Sequence, residues 1–251
     1  MSLIQKRIVI TRALNQCLDF EEKLKNKNAI PLLYHCIQMT LPQNTIALDL
    51  AIRQLEQNYF DWLVLTSQNA VQALALKVKI LPADLQIAVV GSSTAQAVLS
   101  YFNRNIDRVP HMFDADSLAH LFHDEKNQKI FLPQSNLANP NLKNKLEKFG
   151  NHVTAPVTYQ TIKGTGGINL LEQLARKQID AITFASPSAV TYFVERFQEE
   201  GGNLNTLAGI CIACMGHVTK KTAKENGFEV NICSPQHTVE GLIQAMSEYF
   251  S

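Results

Sequence analysis

Short apolar runs alternate along this chain with small-polar turns and amphipathic stretches. Residues 179–184 (IDAITF) read as a buried strand, β-branched and aromatic, that passes through Ala185 into SPSAV. Ser186 and Ser188 are good N-cap types and Pro187 suits a first helical turn, so a helix should open there with its backbone N–H groups presented. Residues 61–71 (DWLVLTSQNAV) repeat the design. Upstream, the pattern predicts a strand over 7–11, a helix over 12–27, a strand over 29–34, a loop at Pro42 and Asn44, and a helix over 46–57. Residues 85–98 predict a strand, a tight turn at Gly91 and a helix that Ser92, Ser93 or Thr94 can cap.

A short strand is expected over 107–110 and a helix from about Ser117. A strand over 129–132, a polar loop and a helix ending at Gly150 follow, and 152–162 read as extended. Residues 163–167 (KGTGG) look like a flexible linker; they lack the GxxxxGK[ST] pattern of a phosphate loop. From Ile168 the order is helix, strand, helix, strand (208–215), helix, short strand (228–233) and a helix from Val239. Such alternation predicts parallel sheets flanked by helices.

The two halves repeat each other. TSQNAV lies over ASPSAV at an offset of 119, VVGSSTA over CMGHVTK at 125, FDADSL over HTVEGL at 124, and Leu24 pairs with Leu146 at 122, so the copies start near residues 7 and 129. Taken alone, the repeat would divide the chain near residue 128. In each copy the small-polar turns follow strands, which places them at the carboxyl ends of a sheet, where open α/β folds bind ligands. A cleft lined from two domains is the expected site, with helix N-termini aimed at an anionic ligand.

Composition narrows the classes. Hydrophobic residues make up 46% and charged residues 18%, no apolar run approaches a membrane span, and the cytoplasm is the expected compartment. Lys and Arg number 23 against 22 Asp and Glu, with no basic cluster, which speaks against a nucleic-acid partner. The five cysteines are scattered and read as reduced; Cys211 and Cys214 form a CxxC inside a strand-like run, where positions three apart face opposite sides. His120 and His123 share a helix face without a third ligand of matching spacing, so no metal site is expected.

The motifs together resemble uroporphyrinogen-III synthases: TSQNAV (66–71), VGSSTA (90–95), LPQSNLANPNL (132–142), TYQT (158–161), ASPSAV (185–190), MGHVT (215–219) and HTVEGL (237–242), in order across nearly the whole chain. The resemblance implies two flavodoxin-like α/β domains with parallel sheets, a cleft between them and a two-stranded connector (35–39 and 157–163). One domain would combine 1–34 with 164–251 and the other span 40–156. It implies cyclisation of hydroxymethylbilane to uroporphyrinogen III, with loss of water and inversion of the last ring, in heme biosynthesis. No cofactor or metal would be needed. The partners implied are the linear substrate with its eight carboxylates and, transiently, the preceding pathway enzyme; the chain would act as a monomer.

Carried over residue by residue, the resemblance makes Tyr159 the candidate acid for the leaving hydroxyl. Arg12, Ser67, Asn69, Gly91, Ser92, Thr94, Ser135, Ser186, Ser188, Gly216, Val218 and Thr219 become candidate substrate-binding positions. Thr94 and Thr219 are also read as helix caps, His217 is a secondary candidate for proton transfer, and Lys220 and Lys221 for carboxylate pairing. Gln134 and Ser135 stand where the family has Arg-Gly, and Ala13 replaces a proline. A non-catalytic two-domain module binding a polyanion is the competing reading; a nucleotide-dependent doubly wound enzyme is weaker, because GxGxxG and P-loop patterns are absent.

Overall fold

The computed structural model describes residues 3–251; the first two residues of the expected leading domain lie outside the described residues. In chain order the elements begin β1 (Arg7–Ile10), α1 (Leu14–Lys25), β2 (Ile30–Leu33), β3 (Ile37–Thr40), α2 (Ile46–Glu56), β4 (Trp62–Leu65), α3 (Gln68–Lys77), β5 (Gln86–Val89), α4 (Ser92–Phe102) and α5 (Ala115–His120). They continue with β6 (Lys129–Phe131), β7 (Gln134–Ser135), α6 (Asn141–Lys148), β8 (His152–Thr154), β9 (Val157–Lys163) and α7 (Leu170–Ala175). The remainder is β10 (Ala181–Phe184), α8 (Pro187–Glu199), β11 (Cys211–Cys214), α9 (His217–Glu225), β12 (Ile232–Cys233) and α10 (Val239–Tyr249).

The chain forms two compact units, Met1–Met39 with Ile162–Ser251, and Thr40–Thr161. In the first, the parallel sheet runs β12-β11-β10-β1-β2. Renumbered within the unit this is the 2-1-3-4-5 order of doubly wound flavodoxin-like sheets. Both faces are covered. Val9, Ile182, Phe184, Ile212 and Cys214 pack into one cluster with Phe193 and Phe197, whereas Ile8, Ile10, Ala181, Cys211 and Ala213 pack into another with Phe20, Leu24, Leu242 and Met246. The period of two along each strand thus sends alternate side chains to opposite cores, Cys211 and Cys214 among them.

In the second unit the parallel sheet runs β5-β4-β6-β8, with an isolated parallel bridge from Ala88 to Arg108 beside β5. Pairing of β4 with β6 crosses residue 128, so the boundary suggested by the repeat alone does not divide the units. Instead the repeat is permuted: β6 and β8 stand where β1 and β2 do, and β4 and β5 where β10 and β11 do. Local chemistry repeats as well. Asp180 Oδ2 accepts from Arg7 N at 2.8 Å and Asp61 Oδ2 from Lys129 N at 2.7 Å, each carboxylate starting a strand pair.

Two expected strands are shorter in the fold. Residues 107–110 are reduced to the Arg108 bridge, because Asp107 Oδ2 takes the Ile87 N–H at 2.7 Å and Pro110 offers no donor. Residues 228–233 are reduced to β12, where Asn231 Oδ1 takes the Ile212 N–H at 2.8 Å in the same way. The expected flexible linker at KGTGG is a packed turn: Gly164 N donates to Cys36 O at 2.8 Å, and Gly167, at φ +90°, bridges antiparallel to Tyr34. A Cβ on Gly167 would lie 2.1 Å from the Leu33 carbonyl oxygen, so these glycines provide close backbone approach rather than slack. Among the described residues, no helix is long and apolar enough to cross a membrane.

Candidate functional site

In the first unit β1, β10 and β11 are neighbours, and the turns after them carry Arg12, Ser186 with Ser188, and Gly216 with Val218 and Thr219. Buried threonines fix these strand ends against one another: Thr11 Oγ1 donates to Thr183 O at 2.7 Å and Thr183 Oγ1 to Val9 O at 2.7 Å. Ser186 caps α8, its Oγ accepting from Ala189 N at 3.2 Å, with Pro187 in the first turn. Ser188 is not a cap; its hydroxyl lies 3.0 Å from that of Ser186.

Arg12 has an unusual environment for a cation. Its Nε is buried with no hydrogen-bond partner, it forms no salt bridge among the described residues, and burial pulls its pKa below the ordinary arginine value, with Asp19 partly offsetting this. Its carbonyl accepts from His35 Nδ1 at 3.0 Å, which fixes the backbone and makes Nδ1 the protonated nitrogen.

The glycine turns differ from expectation. Gly91 and Gly216 are the N-cap positions of α4 and α9, in ordinary extended backbone at φ −177° and −166°, so neither turn needs glycine for its dihedrals. Space is the reason. A Cβ on Gly91 would sit 3.0 Å from Phe113 Cγ, and one on Gly216 2.7 Å from His237 Cε1. Phe113 and His237 open the FDADSL and HTVEGL motifs, so each repeat lays a ring over its own glycine turn, a pairing the sequence reading missed. Neither α4 nor α9 has a side-chain cap, which corrects the expectation for Ser92, Ser93, Thr94 and Thr219. Thr94 and Thr219 point inward instead, at 1% and 4% exposure, while Ser92 and Val218 are exposed. His217 is exposed and packs edge-on against His237 at 5.3 Å, and Lys221 pairs with Glu225 at 3.9 Å.

In the second unit the turns after β4 and β5 and the strands following β6 and β8 carry Ser67 with Asn69, Gly91 with Ser92 and Thr94, Ser135, and Tyr159. The polar loop expected after Leu132 contains β7, which pairs parallel with β9 through a bulge that sets Ser135 opposite Tyr159. Asn136, which the sequence reading passed over, braces this pair: its N donates to Tyr159 O at 3.2 Å and its Oδ1 accepts from Thr161 N at 2.8 Å. Ser135 Oγ donates to Asn136 Oδ1 and accepts from Leu137 N, both at 3.1 Å. Ser67 Oγ accepts from Ala70 N at 3.1 Å, capping α3, and lies 3.1 Å from the hydroxyl of Tyr159, which is 8% exposed. Asn69 lies in the first turn of α3 and is half-buried.

No group of three or more His, Cys, Asp or Glu that could hold a metal occurs among the described residues. Each unit is therefore a parallel α/β structure with hydroxyls, helix N-termini and glycine turns at the carboxyl ends of its strands. Open α/β sheets bind their ligands at such strand ends.

The family model described as uroporphyrinogen-III synthase HemD matches residues 19–244. A uroporphyrinogen-III synthase of Synechococcus elongatus is 27% identical over 98% of this chain and 96% of its own length. A putative uroporphyrinogen-III synthase of Methanocaldococcus jannaschii is 23% identical over 96% and 97%. Crystal structures of a mutant uroporphyrinogen III synthase from Thermus thermophilus (TM-score 0.66, 19% identity, 97% of this chain and 98% of that chain) and of the Helicobacter pylori uroporphyrinogen-III synthetase (0.61, 15%, 96% and 97%) share the fold. The chain belongs to the uroporphyrinogen-III synthase family, enzymes of porphyrin biosynthesis. This membership favours the enzyme over a non-catalytic polyanion-binding module.

Proposed function

We propose that this enzyme is a cyclising hydro-lyase that closes hydroxymethylbilane to uroporphyrinogen III, with Tyr159 as the proton donor to the departing hydroxyl. The observation that carries the reading is the 3.1 Å contact between the Tyr159 and Ser67 hydroxyls at the start of α3. A nearly buried phenol, braced on β9 by Asn136 and in contact with a helix cap, can protonate the hydroxymethyl oxygen so that it leaves as water. The cationic pyrrole-methylene that remains is attacked by the substituted carbon of the last ring, and holding the chain for that attack is a matter of orientation. Arg12 and the uncapped N-termini of α4 and α9 supply positive charge and N–H groups for the substrate's carboxylates, which fits a chain of net charge +1 that lacks a basic patch. Domain 40–156 and the discontinuous domain 1–34 with 164–251 each contribute to binding, and the cytoplasm is the proposed compartment.

The experiment supplies freshly generated hydroxymethylbilane to the wild type and to Tyr159→Phe, oxidises the product and resolves porphyrin isomers I and III. Predominant isomer III from the wild type and a loss of roughly 10²- to 10⁴-fold in kcat for the variant are expected. Isomer I at the no-enzyme rate from the wild type overturns the reading.

A further inference from the structure

We propose that Ser67 is a positioning residue for Tyr159, its hydroxyl donating to the phenol oxygen and coupling it to the N-terminus of α3, rather than a ligand of the substrate. The inference rests on Tyr159 being the proton donor, and it assigns Ser67 a different job from carboxylate binding.

The donor inventory supports this arrangement. Ser67 Oγ already accepts the Ala70 N–H at 3.1 Å as the cap of α3. Its own proton remains to be placed, and the phenol oxygen of Tyr159 lies 3.1 Å away. If Ser67 donates to that oxygen, the phenol proton is free to turn toward another acceptor. If Tyr159 donates instead, its proton is tied up within the protein and cannot reach the leaving group. The donating arrangement also makes a directed chain, Ala70 N–H to Ser67 O–H to Tyr159 O. Each link polarises the next, and the positive end of a helix dipole stands behind it.

Ser186, the matching cap in the first unit, accepts from Ala189 N in the same way but has the hydroxyl of Ser188 at 3.0 Å where Ser67 has that of a tyrosine. Capping alone therefore does not account for the tyrosine contact.

In the reaction the Tyr159 O–H bond breaks and its proton bonds to the hydroxymethyl oxygen. The carbon–oxygen bond then breaks, with its electron pair leaving on water. The phenolate that remains is held by the Ser67 hydroxyl, a hydrogen bond stronger to the anion than to the neutral phenol. Attack through the substituted carbon gives a spiro centre that carries no hydrogen. Its bond to the preceding methylene breaks, and that methylene bonds the unsubstituted α carbon of the last ring. The proton this carbon then loses returns to the phenolate as the ring regains aromaticity. Help that strengthens only as charge develops lowers the barrier without tightening substrate binding.

Four variants of Ser67 separate this role from its alternatives. Ser67→Gly removes the hydroxyl but leaves a tolerable N-cap, Ser67→Asp caps but has no proton to donate, Ser67→Thr keeps the hydroxyl, and Ser67→Ala removes hydroxyl and cap together. The expected result is a fall of about 10- to 100-fold in kcat for Gly, Asp and Ala, with KM within about 2-fold of wild type and recovery in Thr. In the Tyr159→Phe background the Gly change should cost nothing further, since the group it serves is gone. The 13Cζ resonance of labelled Tyr159, which reports hydrogen bonding at the phenol oxygen, should move in Ser67→Gly and return in Ser67→Thr. A raised KM at unchanged kcat, an additive loss in the double variant, or an unmoved 13Cζ resonance overturns the proposal while leaving the donor role of Tyr159 intact. Full activity of Tyr159→Phe alone overturns the donor reading, and this proposal with it.

Discussion

The guanidinium of Arg196 lies 3.8 Å over the ring of Tyr34, and the same group donates to His35 O at 2.8 Å, Gly166 O at 2.9 Å and Glu200 at 2.7 Å. Tyr34 returns to Glu200 through a 2.7 Å hydrogen bond, which together with burial raises its pKa. Arg196 thus gathers, from one turn of α8, the two chain segments at which the first unit continues into β3 and receives β9. Arg196→Met leaves two carbonyls without their donor and the Glu200 carboxylate without its cation, with the Tyr34 hydroxyl still bonded to it. A loss of about 2–4 kcal/mol is expected by urea denaturation, the lower end reflecting the partial exposure of Glu200. Arg196→Lys should recover less than half, because an ammonium cannot reproduce the planar fork and its stacking on Tyr34.

Arg12 predicts the opposite balance. A half-buried cation whose Nε has no partner costs stability in the free protein, and on the function proposed above its counter-ion is a substrate carboxylate. Arg12→Met should leave the free protein as stable as wild type or raise its stability by about 1 kcal/mol, while KM for hydroxymethylbilane rises about 10- to 100-fold. Thermal unfolding and steady-state kinetics on the same sample check both signs. A clear destabilisation would show instead that Arg12 serves the fold.

Where a single segment carries its own signal, the sequence was easy to read. The strand-to-helix junctions at Ser67 and Ser186 formed as expected, because an apolar run, a serine and a helix former act within six residues. The offset between halves was also readable, although its permutation was not, since β6 pairs with β4 through contacts that leave no local mark. Strands over 107–110 and 228–233 were overestimated because Asp107 and Asn231 end their ladders through side chains that recognise distant N–H groups. Gly91 was assigned to turn geometry when Phe113, remote in sequence, is what excludes a Cβ, as His237 does at Gly216. The contact of Ser67 with Tyr159 joins residues 92 positions apart and could be found only in the fold.

Gly167 and Gly209 share a positive φ, +90° and +83°, but differ in surroundings. A Cβ at Gly209 meets nothing within 4 Å, so Gly209→Ala should cost only the backbone strain, about 1 kcal/mol. Gly167→Ala adds a collision with the Leu33 carbonyl, and neither backbone can yield without opening the bridge to Tyr34. A loss of at least about 3 kcal/mol is expected there, measured by chemical denaturation. Equal effects at the two positions would mean that this turn is as yielding as the linker its sequence resembles.

Burial pushes the Cys211 thiol up to about 11 and the Cys214 thiol up to about 12, and the two belong to opposite cores of one strand. Neither should react with a thiol-specific reagent at pH 8 in the native protein, and both should react once the chain is unfolded, because the thiolate is the nucleophile. A raised thiol pKa means that the folded chain keeps protons the unfolded chain has lost. This contribution to stability is complete below the unfolded thiol pKa of about 8.5 and disappears as the pH rises toward the folded values. Cys214→Ala should therefore flatten the decline of unfolding free energy between about pH 9 and 11 relative to wild type. An unchanged slope would place the alkaline loss in other groups, and rapid labelling of the native protein would mean that β11 opens far more readily than its burial implies.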